Sequence, residues 1–312
     1  MCNWRARWFS PCTCGARVEV HRVPSQEQAP QIHHTAIVHP RARLGKGIAI
    51  GPYAVIAEDT VIGDGTVIGP HVLVERYTHI GRDCTIFFGT ALGSAPQDHK
   101  FKGERSYLRI GDRNLIREYV TIHRATGEDE ATVVGDDNLL MNYCHFGHNS
   151  KVGSRISVAN AANIGGHCAI EDDANVGGMV GIHQFVTVGR LAMVGGMSRI
   201  PQDVPPFCIV EGNPAIPRGL NSVGLRRAGV PPESRAALKQ AFRLLYRSEL
   251  NTTNALERIL RDLPQTDEVR YLVAFVQAMR LGTSGRRLQR QASGAPPEAA
   301  DAADAADAEE DS

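Results

Sequence analysis

The chain has 312 residues, and its 34 Lys plus Arg balance 34 Asp plus Glu, so no excess of basic charge argues for a nucleic-acid partner. No apolar run approaches the roughly 20 residues that span a bilayer. The seven cysteines, an odd and scattered set, suit free thiols in a reducing compartment better than a disulfide framework.

Residues 1–31 are basic but have no continuous apolar stretch of the kind a secretory signal needs. They are expected to form a disordered extension. Cys12 and Cys14 make only a CxC pair, too little for a zinc knuckle.

From Ile32 an aliphatic residue recurs every sixth position. The register runs Ile32, Val38, Leu44, Ile50, Ile56, Ile62, Ile68, Val74, Ile80, Ile86 and Leu92, resumes at Ile110, Ile116 and Ile122, and continues from Val134 to Ile200 with Phe146 substituting once. A period of six fits neither an amphipathic helix nor an alternating strand; it is the signature of a hexapeptide β-helix. In such a solenoid, residues about 18 apart stack one strand spacing, about 4.8 Å, from each other. Spacing along the chain then becomes distance in space.

The register is interrupted twice without losing phase. Asp98 and Glu104 stand where aliphatics are due in SAPQDHKFKGERSYL, and Glu128 does so in RATGEDEAT. Unpaired carboxylates do not sit in an apolar core, so both segments are expected to leave the coil as external loops, where binding residues tend to gather.

Three histidines follow in the last third of the repeat. His148, His167 and His183 are 19 and 16 residues apart, each close to one coil, which predicts a rough ladder along one side of the prism; His145 lies near the same turn. Imidazole is a natural general base near neutral pH, and glycines such as Gly165 and Gly166 expose backbone N–H groups able to hold an oxyanion. Three chemistries compete for this arrangement. Acyl transfer needs one histidine base and an oxyanion donor. A zinc site of the γ-class carbonic anhydrase type needs three imidazoles within about 2.1 Å of one metal. A purely structural solenoid, such as an ice binder, needs flat threonine arrays, whereas the outer positions here are irregular and charged.

After Ile200, PQDVPPFCIVEGNPAIPRGL contains five prolines and reads as a stiff exit segment rather than regular structure. Helical patterns follow over Glu233 to Arg247, with Leu238, Ala241, Phe242 and Leu245 on one face, then over Asn254 to Leu263 and Asp267 to Leu281. The domain boundaries expected are 32–204 for the solenoid, 205–283 for a C-terminal helical domain and 284–312 for a disordered acidic tail built on repeated AAD. Open coil ends need covering, and helices packed between copies would do this, so a homotrimer is expected.

The strings IGDRNLIREYVTIHRAT (110–126), DDNLLMNYCHFGHN (136–149), GGMVGIHQFVTVGRLAMVGG (177–196), QDVPPFCIVEGNPA (202–215) and LNSVGLRRAG (220–229) resemble the UDP-N-acetylglucosamine O-acyltransferase family, which opens lipid A synthesis. The resemblance covers about Ile32 to Leu281 and includes the QD-x-K loop and the helical end. It implies a left-handed parallel β-helix with a C-terminal α-helical domain, acting in the cytoplasm. It further implies transfer of an (R)-3-hydroxyacyl group from acyl carrier protein to the 3-hydroxyl of UDP-N-acetylglucosamine, with no metal and no cofactor beyond the carrier's own phosphopantetheine.

Carried over residue by residue, the resemblance makes His148 the general base and Gly166 the backbone oxyanion donor. It makes His145, His167, His183 and Gln184 substrate-positioning residues, and has Gln97, Asp98 and Lys100 reach the sugar and acyl groups from the first loop. Asn221 and Arg227 would meet the nucleotide, and Gly196 would belong to the region that measures acyl length. Three positions depart from the family pattern: Asn149 replaces an Asp beside the base, Val223 a ribose-contacting Glu, and Ala228 a second Arg. His123 reads as a structural residue at a loop edge. Arg113 and Arg117 read as ion-paired, or as a basic surface suited to the acidic carrier.

Overall fold

A computed structural model describes residues 30–283 and 285–288. From Gln31 to Ile200 the chain winds as a left-handed parallel β-helix, as the hexapeptide register predicts. Its strands, mostly two residues long, stack into three sheets of 11, 9 and 8 strands among the described residues. In the first coils each aliphatic pairs with the one 18 residues later, as in Ile32 with Ile50 and Val38 with Ile56. Across the first insertion Ile86 pairs with Ile116, and across the second Ile116 pairs with Leu140; Leu140 with Val158 then restores the offset of 18. The offsets of 30 and 24 exceed one coil by multiples of six, so every aliphatic still points inward.

Most coil faces bury a second residue, two before the aliphatic. This position holds aliphatics such as Ile48, Val120 and Ile156 at some coils and small or hydrogen-bonding residues at others: Thr60, Thr66, Thr90, Asn114, Asn138, Cys144, Ser150 and Cys168 are all buried. Two asparagines make an internal ladder there. Asn114 Oδ1 accepts from Asn138 N (3.0 Å), and Asn138 Oδ1 accepts from Ile156 N (2.8 Å). Their amide groups donate to Gly135 O and Gly153 O (2.8 and 3.0 Å). These bonds satisfy backbone groups where the chain turns away from its ladder.

The corners turn on a residue in the left-handed region, three after the aliphatic. Tyr53, Asp59, Tyr143, Asn149, His167 and Phe185 have φ of 58°, 53°, 63°, 57°, 59° and 67°. A residue with a Cβ pays about 1–2 kcal/mol to sit there. Stacking between successive coils offsets part of this: Tyr119 lies flat on Tyr143 (5.1 Å, 3°) and His167 on Phe185 (4.6 Å, 2°).

The proline-rich exit is regular structure, contrary to expectation. Cys208–Gly212 continues one sheet by parallel pairing of Ile209 with Met193, and Ala215–Leu220 folds back on it antiparallel. The second strand is the sheet edge, and an edge tolerates Pro217, which has no N–H to donate. Four helices follow: α1 (Ser222–Arg227), α2 (Pro232–Tyr246), α3 (Thr252–Asp262) and α4 (Asp267–Leu281). The last three match the expected helices within two residues at each end. Leu238, Ala241, Leu256, Ile259, Val269, Leu272 and Val276 form their shared core with Phe207. Tyr271 ties α4 to the solenoid: its hydroxyl donates to Glu171 (2.6 Å) and the Arg190 guanidinium lies 3.9 Å over its ring.

The segment expected to be a tail begins with a short 3-10 turn at Gly285–Arg287 that packs on the solenoid. The extension at 1–29 and the acidic repeat beyond 288 lie outside the described residues.

Asn138→Leu keeps the volume but leaves Ile156 N and Gly153 O unpaired in the core. We expect a loss of about 2–4 kcal/mol, read as a lower urea midpoint; an unchanged midpoint would remove the ladder from the account of stability.

Candidate active site

Both carboxylate-bearing insertions leave the coil and fold against each other. Gly127 N donates to Glu104 Oε1 (2.9 Å), Arg105 pairs with Asp129 (2.7 Å), and Arg124 donates to Gly93 O (2.8 Å) while lying 5.2 Å over the Phe101 ring. The first loop is thereby held over the coil face that carries His148. Within it, Lys100 N donates to Asp98 Oδ1 (3.0 Å), and Asp98 Oδ2 stands 3.9 Å from His148 Nε2. That distance is too long for a direct hydrogen bond.

The other ring nitrogen is locked. Asn149 Oδ1 accepts from Thr126 N (2.9 Å) and from Thr126 Oγ1 (3.0 Å), while Asn149 Nδ2 donates to Thr126 O (3.1 Å). The amide orientation is therefore fixed by backbone groups, and its oxygen faces His148 Nδ1 at 2.9 Å. An acceptor there requires Nδ1 to carry the proton. Nε2 keeps its lone pair, which is the tautomer a general base needs.

Below His148 in its column comes Gly166, one coil on. A Cβ at Gly166 would lie 2.7 Å from His148 Nε2, so the base has room only because that side chain is absent. Among the described residues the Gly166 N–H donates no backbone hydrogen bond. The neighbouring column reads His123, Gly147, Gly165, His183. Two glycines between two histidines open a cleft of about 440 Å³, lined also by Gln97, His145, His148, Asn163, Gln184, Arg199 and Pro201.

The expected ladder of three histidines is not what forms. His148, His167 and His183 stand in three adjacent columns, because separations of 19 and 16 miss the 18-residue coil by one and two residues. His183 sits beneath Gly165 and still lines the cleft. His167 turns outward, stacked on Phe185, with its ring centre 5.0 Å from that of His148 in an edge-to-face arrangement. Among the described residues no three His, Cys, Asp or Glu side chains converge as a metal site would require.

Of the other expected site residues, Gln97, His145 and Gln184 line the cleft, and Asp98 and Lys100 lie in the loop above it. Gly196, Asn221 and Arg227 do not line it in the single chain. Asn221 is the N-cap of α1: its Oδ1 accepts from Gly224 N (2.9 Å) and its Nδ2 donates to Leu191 O (2.9 Å). Arg227 is exposed in the last turn of that helix. Arg113 and Arg117 form bidentate pairs with Asp137 and Glu118.

His123, read from the sequence as structural, is a wall of the cleft. Counting the six residues added by the second insertion puts it above Gly147, and that count is the signal that would have found it. It is only 7 % exposed, and its ring meets His145 edge-on at 4.9 Å, while His145 Nδ1 bonds Thr121 Oγ1 (2.8 Å). Burial, followed by the neighbouring His145, His148 and Arg124, lowers the His123 pKa to about 4. Burial lowers that of His145 too. These rings are neutral at neutral pH.

Residues 203–284 match the family model described as UDP-N-acetylglucosamine O-acyltransferase, domain 2, and residues 41–76 match that of the bacterial transferase hexapeptide. An acyl-[acyl-carrier-protein]–UDP-N-acetylglucosamine O-acyltransferase of Thermodesulfovibrio yellowstonii is 46% identical over 253 residues, which is 81% of this chain and 98% of the relative. The chain belongs to the UDP-N-acetylglucosamine O-acyltransferase family.

A relative of the same description from Gloeothece citriformis is 52% identical over 60% of this chain and 68% of its own length. Among solved structures of the family, the acyltransferase from Bacteroides fragilis superposes with a TM-score of 0.77 at 38% identity, covering 78% of this chain and 96% of that one. The Arabidopsis enzyme gives 0.71 at 33% identity, over 79% and 96%. The matches to the Thermodesulfovibrio, Bacteroides and Arabidopsis proteins cover 78–81% of this chain, more than the solenoid alone, so family membership does not rest on the hexapeptides alone.

The depressed His123 pKa predicts a pH dependence of stability. Between about pH 6.5 and 4 the unfolded chain takes up a proton that folded His123 refuses, so stability is complete above that window and falls as the pH drops through it. His123→Gln should lose less stability than the parent between pH 7 and 5, compared by urea midpoints. An equal loss in both proteins would show that His123 is not the group responsible.

Proposed function

We propose that the chain transfers an (R)-3-hydroxyacyl group from the phosphopantetheine thioester of acyl carrier protein to the 3-hydroxyl of UDP-N-acetylglucosamine, the opening step of lipid A synthesis. The observation that carries this reading is His148, locked by Asn149 at Nδ1 and packed with its Nε2 against the bare Gly166 in an open cleft.

The steps use groups of the chain. His148 Nε2 takes the proton of the sugar 3-hydroxyl as its oxygen attacks the thioester carbonyl. The carbonyl π electrons move to oxygen, and Gly166 N–H donates to that oxyanion. Collapse re-forms the C=O bond and breaks the C–S bond, and the departing thiolate takes the proton back from His148. Asp98, 3.9 Å from Nε2, stabilises the imidazolium between these two transfers. The phosphopantetheine belongs to the donor, so it acts as substrate and not as a resident cofactor.

Gln97, Asp98 and Lys100 above the cleft, with His145, His183 and Gln184 along it, position sugar and acyl groups in this reading, and His167 buttresses the base from outside. Gly196, Asn221 and Arg227 serve the cleft of a neighbouring copy in a homotrimer, with the Arg227 guanidinium suited to a diphosphate and Gly196 leaving room for the acyl chain. We place the reaction in the cytoplasm. Cys84, Cys144, Cys168 and Cys208 are buried free thiols, which suits a reducing compartment, and among the described residues no helix is long and apolar enough to cross a membrane.

Purified protein, UDP-N-acetylglucosamine and hydroxyacyl carrier proteins of graded chain length test the reaction directly. His148→Ala should lower turnover by about 10²–10⁴-fold, the usual worth of a positioned general base, with the melting midpoint retained. Turnover near that of the parent would sink the assignment of the base.

A further inference from the structure

Beyond α4 the chain does not leave the molecule at once. Gly282 closes the helix in the left-handed region, at φ 67°, donating to Ala278 O and Met279 O, and the chain returns to the last coil of the solenoid. Gly285, also left-handed at φ 72°, meets Asp203 so closely that a Cβ there would lie 2.1 Å from its carboxylate. Asp203 is only 8 % exposed. Its Oδ1 accepts from Thr187 N (2.7 Å), and its two oxygens accept from Arg286 N at 3.0 and 3.1 Å. A buried carboxylate is costly unless its oxygens are satisfied, so this backbone contact anchors the segment.

The anchor delivers one side chain to the cleft. Arg286 Nε donates to Pro201 O (3.2 Å), and Nη2 reaches His183 Nε2 at 3.5 Å. Both Pro201 and His183 line the cleft. On its other side His183 Nδ1 lies 3.3 Å from Gln184 O. A guanidinium can only donate, so Nε2 is the acceptor and Nδ1 carries the proton that points to Gln184 O. The ring is thus held between a fixed cation and the backbone of Gln184, whose N would lie 2.8 Å from a Cβ at Gly165 on the cleft floor.

We propose that Arg286 is a positioning residue for the transfer reaction, acting through His183. It sets the tautomer and orientation of an imidazole that forms the far wall of the cleft, so that the segment after the last helix is part of the site. This rests on the assignment of the cleft to acyl transfer.

Arg286→Met keeps an unbranched aliphatic stem and removes the donors, while the backbone bonds from position 286 to Asp203 remain. We expect KM for at least one of the two substrates to rise about tenfold, with kcat within about threefold and the melting midpoint unchanged. That pattern is the mark of a lost binding contact rather than a lost transition-state contact. Arg286→Lys should recover part of the loss. In a His183→Ala background Arg286→Met should have no further effect, because the two residues act as one unit. Additive effects in the double variant, an unchanged KM, or a fall in melting midpoint without a change in KM would each overturn the proposal.

Labelling with diethyl pyrocarbonate reads the contact without turnover. His183 should be modified several-fold faster in Arg286→Met than in the parent. Equal rates would overturn the contact even if the enzyme turns over. Faster labelling in a protein without turnover on these substrates would leave the contact standing and overturn the reaction assigned to the cleft.

Discussion

The structure depends on one constraint, the hydrogen-bond ladder between successive coils. Each strand is so short that it carries no stability alone, and each coil is held by backbone bonds to the coils on either side. The ladder fixes which residue stands above which. A side chain's neighbours are then decided by sequence offset, and an insertion that adds a multiple of six lets the aliphatics resume in phase. Both insertions do so, which is why the solenoid continues unbroken beneath two loops that carry carboxylates.

The cleft follows from the same constraint by subtraction. In the column from His123 to His183 the two intermediate positions are glycine, and the column beside it places glycine under His148. Filling any of these with a Cβ would bring it against backbone or the imidazole at under 3 Å. A rigid coil cannot open to admit a substrate, so the space has to be written into the sequence as missing side chains. Rigidity also explains the cost accepted at the corners. Asn149 and His167 sit in the left-handed region, and the corner places both directly against the base.

The coil, the expelled loops, the three long helices and the position of His148 were legible in the sequence, because each depends on period or phase. The columns were legible only in part. Three histidines near one coil apart look like a ladder until the remainders of one and two residues are counted, and those remainders move His167 outside and His183 below the glycine floor. The hairpin at 208–220 was hidden by five prolines, whose usual meaning fails at a sheet edge where Pro217 need not donate. Asn221 offered an amide that suits a ligand, and nothing local shows that the same amide also caps α1. Arg286 lies in a stretch whose composition resembles a tail, and nothing local marks its contact with Asp203, which is 83 residues away.

Asn149, where the family resemblance implies an Asp, makes the loop and the coil share one electrostatic task in the proposed mechanism. An amide orients His148 but brings no charge to its imidazolium, and a carboxylate in the same place would set an oxygen against Thr126 O, where Asn149 Nδ2 now donates. The negative charge comes instead from across the ring, where Asp98 faces Nε2. Orientation is therefore supplied by the coil through Asn149 and Thr126, and charge by the first loop through Asp98. That loop is pinned by Arg124, whose buried guanidinium donates to Gly93 O and covers Phe101. The setting of the His148 ring thus depends on an arginine that does not itself line the cleft, through a loop that exists because Asp98 and Glu104 cannot be buried in the coil.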